Sequence, residues 1–122
     1  MVLPDLLAGR ADLSGDKVAL VDAESGVRRT YAELDDRAGR CATFLRGEWG
    51  IGAGDRVALL AHNTVELFEL LFGCARIGAL LVPLNWRLTL DELAAIVDDC
   101  RPSALVYGAA FESPASELAG RL

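Results

Sequence analysis

Lysine is nearly missing from this chain. Eleven of the twelve basic residues are arginine, and Lys17 stands alone. That bias accords with a coding sequence whose base composition favours arginine codons. With eighteen acidic residues the formal net charge is -6, and no stretch gathers basic side chains into a patch. Neutralising phosphates needs such a patch, so neither a nucleic acid nor an anionic membrane is an expected partner. Cysteines are few and scattered: Cys41, Cys74 and Cys100 are odd in number and form no C-x-x-C pair. The pattern gives no basis for a metal site or a redox motif, and free, buried thiols are expected. Long apolar runs are missing too. The uncharged stretch Ile77 to Trp86 falls well short of the ~18 residues of a spanning helix. Pro4 and Asp5 stand where a signal peptide would place basic residues and then an apolar core. A soluble protein in a reducing, cytoplasmic setting is the expectation.

What is present suffices for one ordinary core. The 122 residues are 52% hydrophobic and 25% charged, without a repeat or a low-complexity tract. A single domain of this size buries roughly two thirds of its unfolded surface. The organising stretch is Asp55 to Leu84, DRVALLAHNTVELFELLFGCARIGALLVPL. An apolar run, Val57 to Ala61, meets a polar break at His62, Asn63 and Thr64; about three turns of helical pattern and a second apolar run, Leu80 to Leu84, follow. Strand, helix, strand at this length is a βαβ unit with parallel strands and a right-handed crossover. Parallel strands are covered on both faces, so the unit belongs inside a larger layer.

Around it, Met1 to Gly15 reads as a short helical turn followed by irregular chain. Lys17 to Thr30 reads as a peripheral β-hairpin turning at Glu24, Ser25 and Gly26. Thr30 and Glu33 form a capping box, after which Tyr31, Leu34, Ala38, Cys41, Ala42 and Leu45 recur at helical spacing, with Asp35, Asp36, Arg37 and Arg40 on the other side. Gly50, Gly52 and Gly54 resemble a phosphate loop only in composition. Such a loop follows a strand and opens a helix, whereas these glycines follow a helix and precede a strand; they read as a connector, and Asp55 and Arg56 as structural or solvated charges. The central helix, roughly Thr64 to Ile77, carries Glu66, Glu69, Gly73 and Arg76 on one narrow stripe and apolar residues elsewhere, so most of its circumference is expected to be buried. Asn63 with Glu66 is its expected N-cap pair, and Gly73 implies a close contact. Thr89 and Glu92 cap a further helix, Leu90 to Asp99, with Leu90, Leu93, Ala94, Ile96 and Val97 inward. Pro102 stops it, Ala104 to Tyr107 is a third parallel strand, and Ser113 to Leu122 reads as a helix that runs out without a C-cap glycine. The fold class is therefore α/β: a partial, mostly parallel sheet with flanking helices and a peripheral N-terminal hairpin.

Topology locates the functional edge. Ligands of open α/β sheets bind outside the carboxyl ends of the strands, here Ala61 to Thr64, Asn85 to Leu88 and Gly108 to Phe111. His62 lies there without a serine, cysteine or carboxylate placed to work with it, so no catalytic residue is assigned. Trp86 and Arg87 have the planar indole and guanidinium that suit a base and a phosphate, or else they simply cover the sheet edge.

Thr30-Tyr31-Ala32-Glu33-Leu34, Gly54-Asp55-Arg56-Val57-Ala58, Asn63, Ala75-Arg76-Ile77-Gly78-Ala79 and Pro83-Leu84-Asn85-Trp86-Arg87-Leu88-Thr89, in this order and spacing, resemble the N-terminal segment of AMP-forming acyl-CoA synthetases, of the adenylate-forming superfamily. The resemblance covers about residues 15 to 108. It implies residues 1–122 as an incomplete N-terminal subdomain of a ligase that activates a carboxylic acid, a fatty acid or a related one, with ATP and Mg2+, then transfers the acyl group to CoA. It further implies Asn85, Trp86 and Arg87 near the CoA nucleotide. The family's Ser/Thr/Gly-rich phosphate loop, its acidic ATP and Mg2+ motif, its ribose aspartate and its C-terminal lysine have no counterpart in this sequence. Two readings follow. One is a synthetase segment that is inactive alone, binds no cofactor tightly, needs the remainder of the enzyme as partner and self-associates through uncovered surfaces. The other is a non-catalytic interaction or nucleotide-binding module on the same scaffold.

Overall fold

The computed structural model describes residues 4–122. Residues 1–3 of the expected opening turn lie outside them. Instead of irregular chain, Leu6–Ser14 forms a helix, α1, capped by Asp5, whose Oδ1 accepts from the Ala8 N–H at 2.9 Å. Only Leu7 of this helix is buried, and Leu6 and Leu13 face outward, which is why no apolar period announces it. Strands β1 (Val18–Val21) and β2 (Arg28–Thr30) form the antiparallel hairpin. Its turn is tightened by the Asp22 carboxylate, which accepts from the N–H groups of Glu24 and Ser25. Helix α2 (Tyr31–Gly47) starts at a full capping box: the Glu33 N–H donates to the Thr30 hydroxyl at 3.1 Å, and the Thr30 N–H donates to Glu33 at 3.0 Å.

Gly50 and Gly54 then take φ values of 66° and 83°, a left-handed backbone that glycine adopts without strain. They connect α2 to β3 (Arg56–Leu60), and the Gly52 N–H is satisfied by the Asp55 carboxylate at 2.8 Å. From β3 the chain runs through α3 (Val65–Arg76), β4 (Leu80–Pro83), α4 (Leu90–Cys100) and β5 (Ala104–Tyr107). A 3-10 turn, Ala109–Phe111, leads into α5 (Glu112–Ala119). The last helix begins one residue before the expected Ser113 and stops at Ala119 with Gly120 behind it, not at Leu122. The three later strands form a parallel sheet in the order β4-β3-β5.

Alternation along β3 divides the core. Val57 and Leu59 pack with Ala42, Leu45, Leu70, Cys74 and Ile77 on one face; Ala58 and Leu60 pack with Leu84, Leu93, Ala94, Val97 and Leu118 on the other. Helices α2 and α3 thus cover one side of the sheet and α4 and α5 the other. Helix α4 ends where Arg101 turns into the left-handed region at φ 47°, directly before Pro102. Ile96, expected inside, is 36% exposed, because the buried stripe of this helix follows Leu93, Ala94 and Val97.

The central helix departs most from expectation, for it buries Glu69 beside Val65, Leu70 and Cys74 and leaves part of its apolar circumference exposed. Glu69, on the polar stripe, is buried against α2 together with Gly73, where a close contact is expected, while Phe68 and Leu71 are 38% and 42% exposed. Gly73 is the pivot. A Cβ there would stand 3.0 Å from both Cβ and Sγ of Cys41 and 3.2 Å from the Ala38 carbonyl, so only glycine lets the two helices approach this closely. The charges come inside with partners. Glu69 accepts from Arg37 Nε, and Arg76 is bonded to the Asp35 carboxylate, to the Asp35 carbonyl at 2.9 Å and to Asp5 at 2.7 Å. Asp35 and Arg37, on the polar side of α2, are therefore bridging groups. The cap also differs: Thr64 occupies the N-cap, and neither Asn63 nor Glu66 closes a side-chain hydrogen bond there.

Candidate functional site

The carboxyl ends of β3, β4 and β5 lead into three loops, and the structure brings one aromatic side chain from each to a single point. His62, after β3, stands edge-on to Trp86, after β4, with ring centroids 4.5 Å apart. It meets Phe111, after β5, in the same manner at 4.8 Å, and Trp86 and Phe111 are 6.1 Å apart. Arg87 lays its guanidinium over the Trp86 ring at 4.6 Å. Such contacts favour a fixed arrangement through the ring quadrupoles, and a cation on indole adds to it.

The loop after β4 explains part of this order. The Asn85 side-chain oxygen accepts from the Arg87 N–H at 3.1 Å, and the Asn85 carbonyl accepts from the Leu88 N–H at 3.0 Å. Asn85 thereby shapes the turn that presents Trp86 and Arg87, while Arg87 itself is exposed. Thr89 then accepts from the Glu92 N–H at 3.3 Å, but Glu92 returns to the Thr89 hydroxyl rather than to the backbone, so the expected capping box is half formed.

An open groove of about 590 Å³ runs beside this cluster, and its far wall is the hairpin. Leu20 to Glu24 face His62 to Val65, Phe68, Trp86 and Arg87 across it. The hairpin reads as peripheral in the sequence, yet it borders the one edge that topology marks for ligands. No local pattern could show this, because the hairpin is placed by the Tyr31 N–H bonding Lys17 and by packing on α2. The wall is acidic. Hydrogen bonds from Ser25 and Glu24 hold the Asp22 carboxyl below its ordinary range, so it stays charged. A second groove of about 380 Å³, mainly apolar, lies between the ends of β3 and β5 against Leu67, Val106, Gly108 and Phe111. Phe111 is the member of the site that periodicity alone did not single out.

His62 has two aromatic neighbours, and among the described residues no nucleophile or carboxylate is hydrogen-bonded to it. Among the described residues no group of three His, Cys, Asp or Glu side chains could hold a metal ion. The glycines before β3 connect the end of α2 to that strand. Trp86 and Arg87 together offer a planar cation on an aromatic face at the open end of the sheet.

The fold defines a class: a parallel α/β layer whose strand exits lie together at one edge. The comparisons give the family. Residues 7–121 match the family described as AMP-binding enzyme, and the chain belongs to it, corresponding to the N-terminal region of AMP-forming acyl-CoA synthetases. Long-chain-fatty-acid–CoA ligase FadD13 of Mycobacterium tuberculosis is 42% identical over 104 residues, covering 85% of this chain and 20% of that protein. Feruloyl-CoA synthase of an Amycolatopsis species is 43% identical over 98 residues, 80% of this chain and 20% of that protein. The N-terminal domain of FACL13 from Mycobacterium tuberculosis superimposes with a TM-score of 0.86 at 40% identity, covering 91% of this chain and 28% of that one. The chain spans about a fifth of the length of these curated relatives.

Proposed function

We propose that this chain supplies the N-terminal scaffold of an acid–CoA ligase, which converts a carboxylic acid, ATP and CoA to acyl-CoA, AMP and pyrophosphate, and that alone it is inactive. The observation that carries this reading is the family match over residues 7–121, set against relatives of which the matched segment covers about a fifth. Relatives named for fatty, ferulic and cholestenoic acids are all similar to it, so the acid remains the broad class of fatty or related acids. ATP, Mg2+ and the acid would be held by the remainder of the enzyme, this chain's partner, because the groups that stabilise charge on a transferring adenylyl unit are not among its residues. CoA is the exception. Its nucleotide would meet Trp86 and Arg87 on the turn that Asn85 shapes. Three free thiols suit a reducing compartment, the cytoplasm, and no helix among the described residues is long and apolar enough to cross a membrane.

Acid-dependent exchange of pyrophosphate into ATP tests this. The isolated chain is expected to give none; a chimera in which it replaces the matched segment of the mycobacterial ligase is expected to give exchange and to form acyl-CoA. Exchange by the isolated chain refutes its dependence on a partner, and a folded but inactive chimera refutes the ligase reading. Within the chimera, Arg87→Ala should raise KM for CoA by about tenfold, the loss of one charge-assisted contact, and leave pyrophosphate exchange untouched.

A further inference from the structure

Arginine side chains in this fold are held in different ways. Arg37 and Arg76 are committed to carboxylates, the first to Glu69 and the second to Asp35 and Asp5. Arg56 donates to the Cys100 carbonyl. Arg87 differs. Among the described residues no carboxylate or carbonyl accepts from its guanidinium, which lies instead over the Trp86 ring at 4.6 Å. The acids that share its groove, Asp22 and Glu24, stand on the far wall, and the Asp22 carboxylate is already engaged by the N–H groups of Glu24 and Ser25. A guanidinium attracted to a ring face is held without consuming its N–H donors. Arg87 is thereby a preformed receptor for an anion, and its placement is only as good as that of the indole beneath it.

Two kinds of contact fix that indole. Trp86 packs, with Phe111, against the core of Leu60, Leu84, Leu93 and Leu118. His62 completes the setting. Its ring meets Trp86 at 4.5 Å with the planes 79° apart, and Phe111 at 4.8 Å with the planes 63° apart. Neither burial nor hydrogen bonding explains this position. His62 is exposed and belongs to none of the core clusters, and among the described residues neither of its ring nitrogens has a hydrogen-bond partner. Edge-to-face contacts are directional, because a ring's edge is positive and its face negative, so they hold the plane of an indole that apolar packing alone leaves free to rock.

Resting on the ligase reading and its CoA nucleotide at Trp86 and Arg87, we propose that His62 is a positioning residue for the CoA step: it fixes the plane of Trp86 and, through that ring, the Arg87 guanidinium that receives a phosphate of the nucleotide. His62 itself touches neither the reacting atoms nor the phosphate. Its contribution is to set a contact before the ligand arrives, so its loss weakens CoA binding and leaves adenylation of the acid alone. A role in merely holding the edge together would act on both half-reactions, because the loops after β3, β4 and β5 leave one sheet side by side and would loosen together.

Kinetics of the chimera test this. His62→Ala is expected to raise KM for CoA by about three- to tenfold, the range that one directional aromatic contact is worth, with kcat and acid-dependent pyrophosphate exchange at the parent level. His62→Phe keeps a ring at the contact and should return KM close to the parent value. In an Arg87→Ala background, His62→Ala should have no further effect on KM, since it acts through that guanidinium. The isolated chain gives a second readout. With Trp49→Phe in place Trp86 is the only indole, and His62→Ala should weaken its near-ultraviolet circular dichroism without moving the urea midpoint, whereas His62→Phe should preserve the band. An unchanged KM in His62→Ala where Arg87→Ala raises it, additive effects of the two, or an undiminished Trp86 band overturns the proposal while the ligase reading stands. Loss of pyrophosphate exchange together with the CoA step makes His62 a structural member of the edge and overturns it as well. An Arg87→Ala chimera with unchanged KM for CoA removes the nucleotide reading and the proposal with it.

Discussion

The two crossover helices, α3 and α4, have the same job on opposite faces of one sheet and are built on opposite principles. Helix α4 is amphipathic in the ordinary sense: Leu93, Ala94 and Val97 face the sheet and Asp91, Glu92, Asp98 and Asp99 face outward. Helix α3 buries Glu69 and Gly73 with Leu70 and Cys74, and leaves Phe68 and Leu71 in the open. The difference follows from what each helix must touch. Helix α4 meets the sheet with only the short α5 beside it. Helix α3 lies between the sheet and the long α2, and needs a small residue for close approach and a charge for the arginines of α2 and β2. The Cys74 thiol shares that setting, and burial pushes it up to about 11, so it stays protonated at neutral pH.

The sharpest way to break the comparison is to give α3 a side chain at its contact. Gly73→Val should destabilise the isolated chain by about 2–3 kcal/mol, because the new Cβ meets Cys41 and the α2 backbone and neither can withdraw freely. Ala95→Val, on the exposed side of α4, should stay within about 0.5 kcal/mol of the parent. Urea midpoints of the two variants decide it; equal losses would mean that the α2 and α3 interface is no tighter than surface.

A smaller effect is expected at the buried charge. Glu69 is 11% exposed at its side chain and serves Arg37 directly, with Arg29 Nε at 4.0 Å, beyond hydrogen-bond reach. Arg29 Nε is accordingly buried without a hydrogen-bond partner. Glu69→Gln should cost about 1–2 kcal/mol, less than a fully buried pair because Arg37 is 43% exposed. A double-mutant cycle with Arg37→Ala measures the coupling. A coupling indistinguishable from zero would reduce Glu69 to an ordinary surface acid.

These two residues show how far the sequence is legible. Strand alternation, capping residues and the order of glycines before β3 are local, and they lead directly to the parallel layer, the α2 start and the connector. Gly73 is legible too, since a glycine inside a helix implies a close neighbour. Which stripe of α3 faces inward is not local. Its apolar residues cover so much of the circumference that periodicity has no preferred side, and the answer lies in Arg37 and Arg29, 32 and 40 positions earlier. The functional edge divides in the same way. Its loops follow from strand order alone, but the meeting of His62, Trp86 and Phe111, and the hairpin wall opposite them, arise only from packing between segments far apart in the chain.

The smallest expected effect concerns the open side of α3. Phe68 and Leu71 belong on an inner face by hydrophobicity, yet within this chain about two fifths of each stays exposed. Replacing both with serine should therefore change stability by only about 0.5 kcal/mol per site, whereas Val97→Ser on α4 removes a fully enclosed side chain and leaves a hydroxyl without a partner. If the open side is instead a surface that the remaining ligase covers, the same double substitution should lower the sedimentation-derived mass of the isolated chain at high concentration and weaken the chimera. A large loss of stability in the isolated chain would show that Phe68 and Leu71 already belong to its core, and the contrast between the two helices would reduce to the position of Glu69.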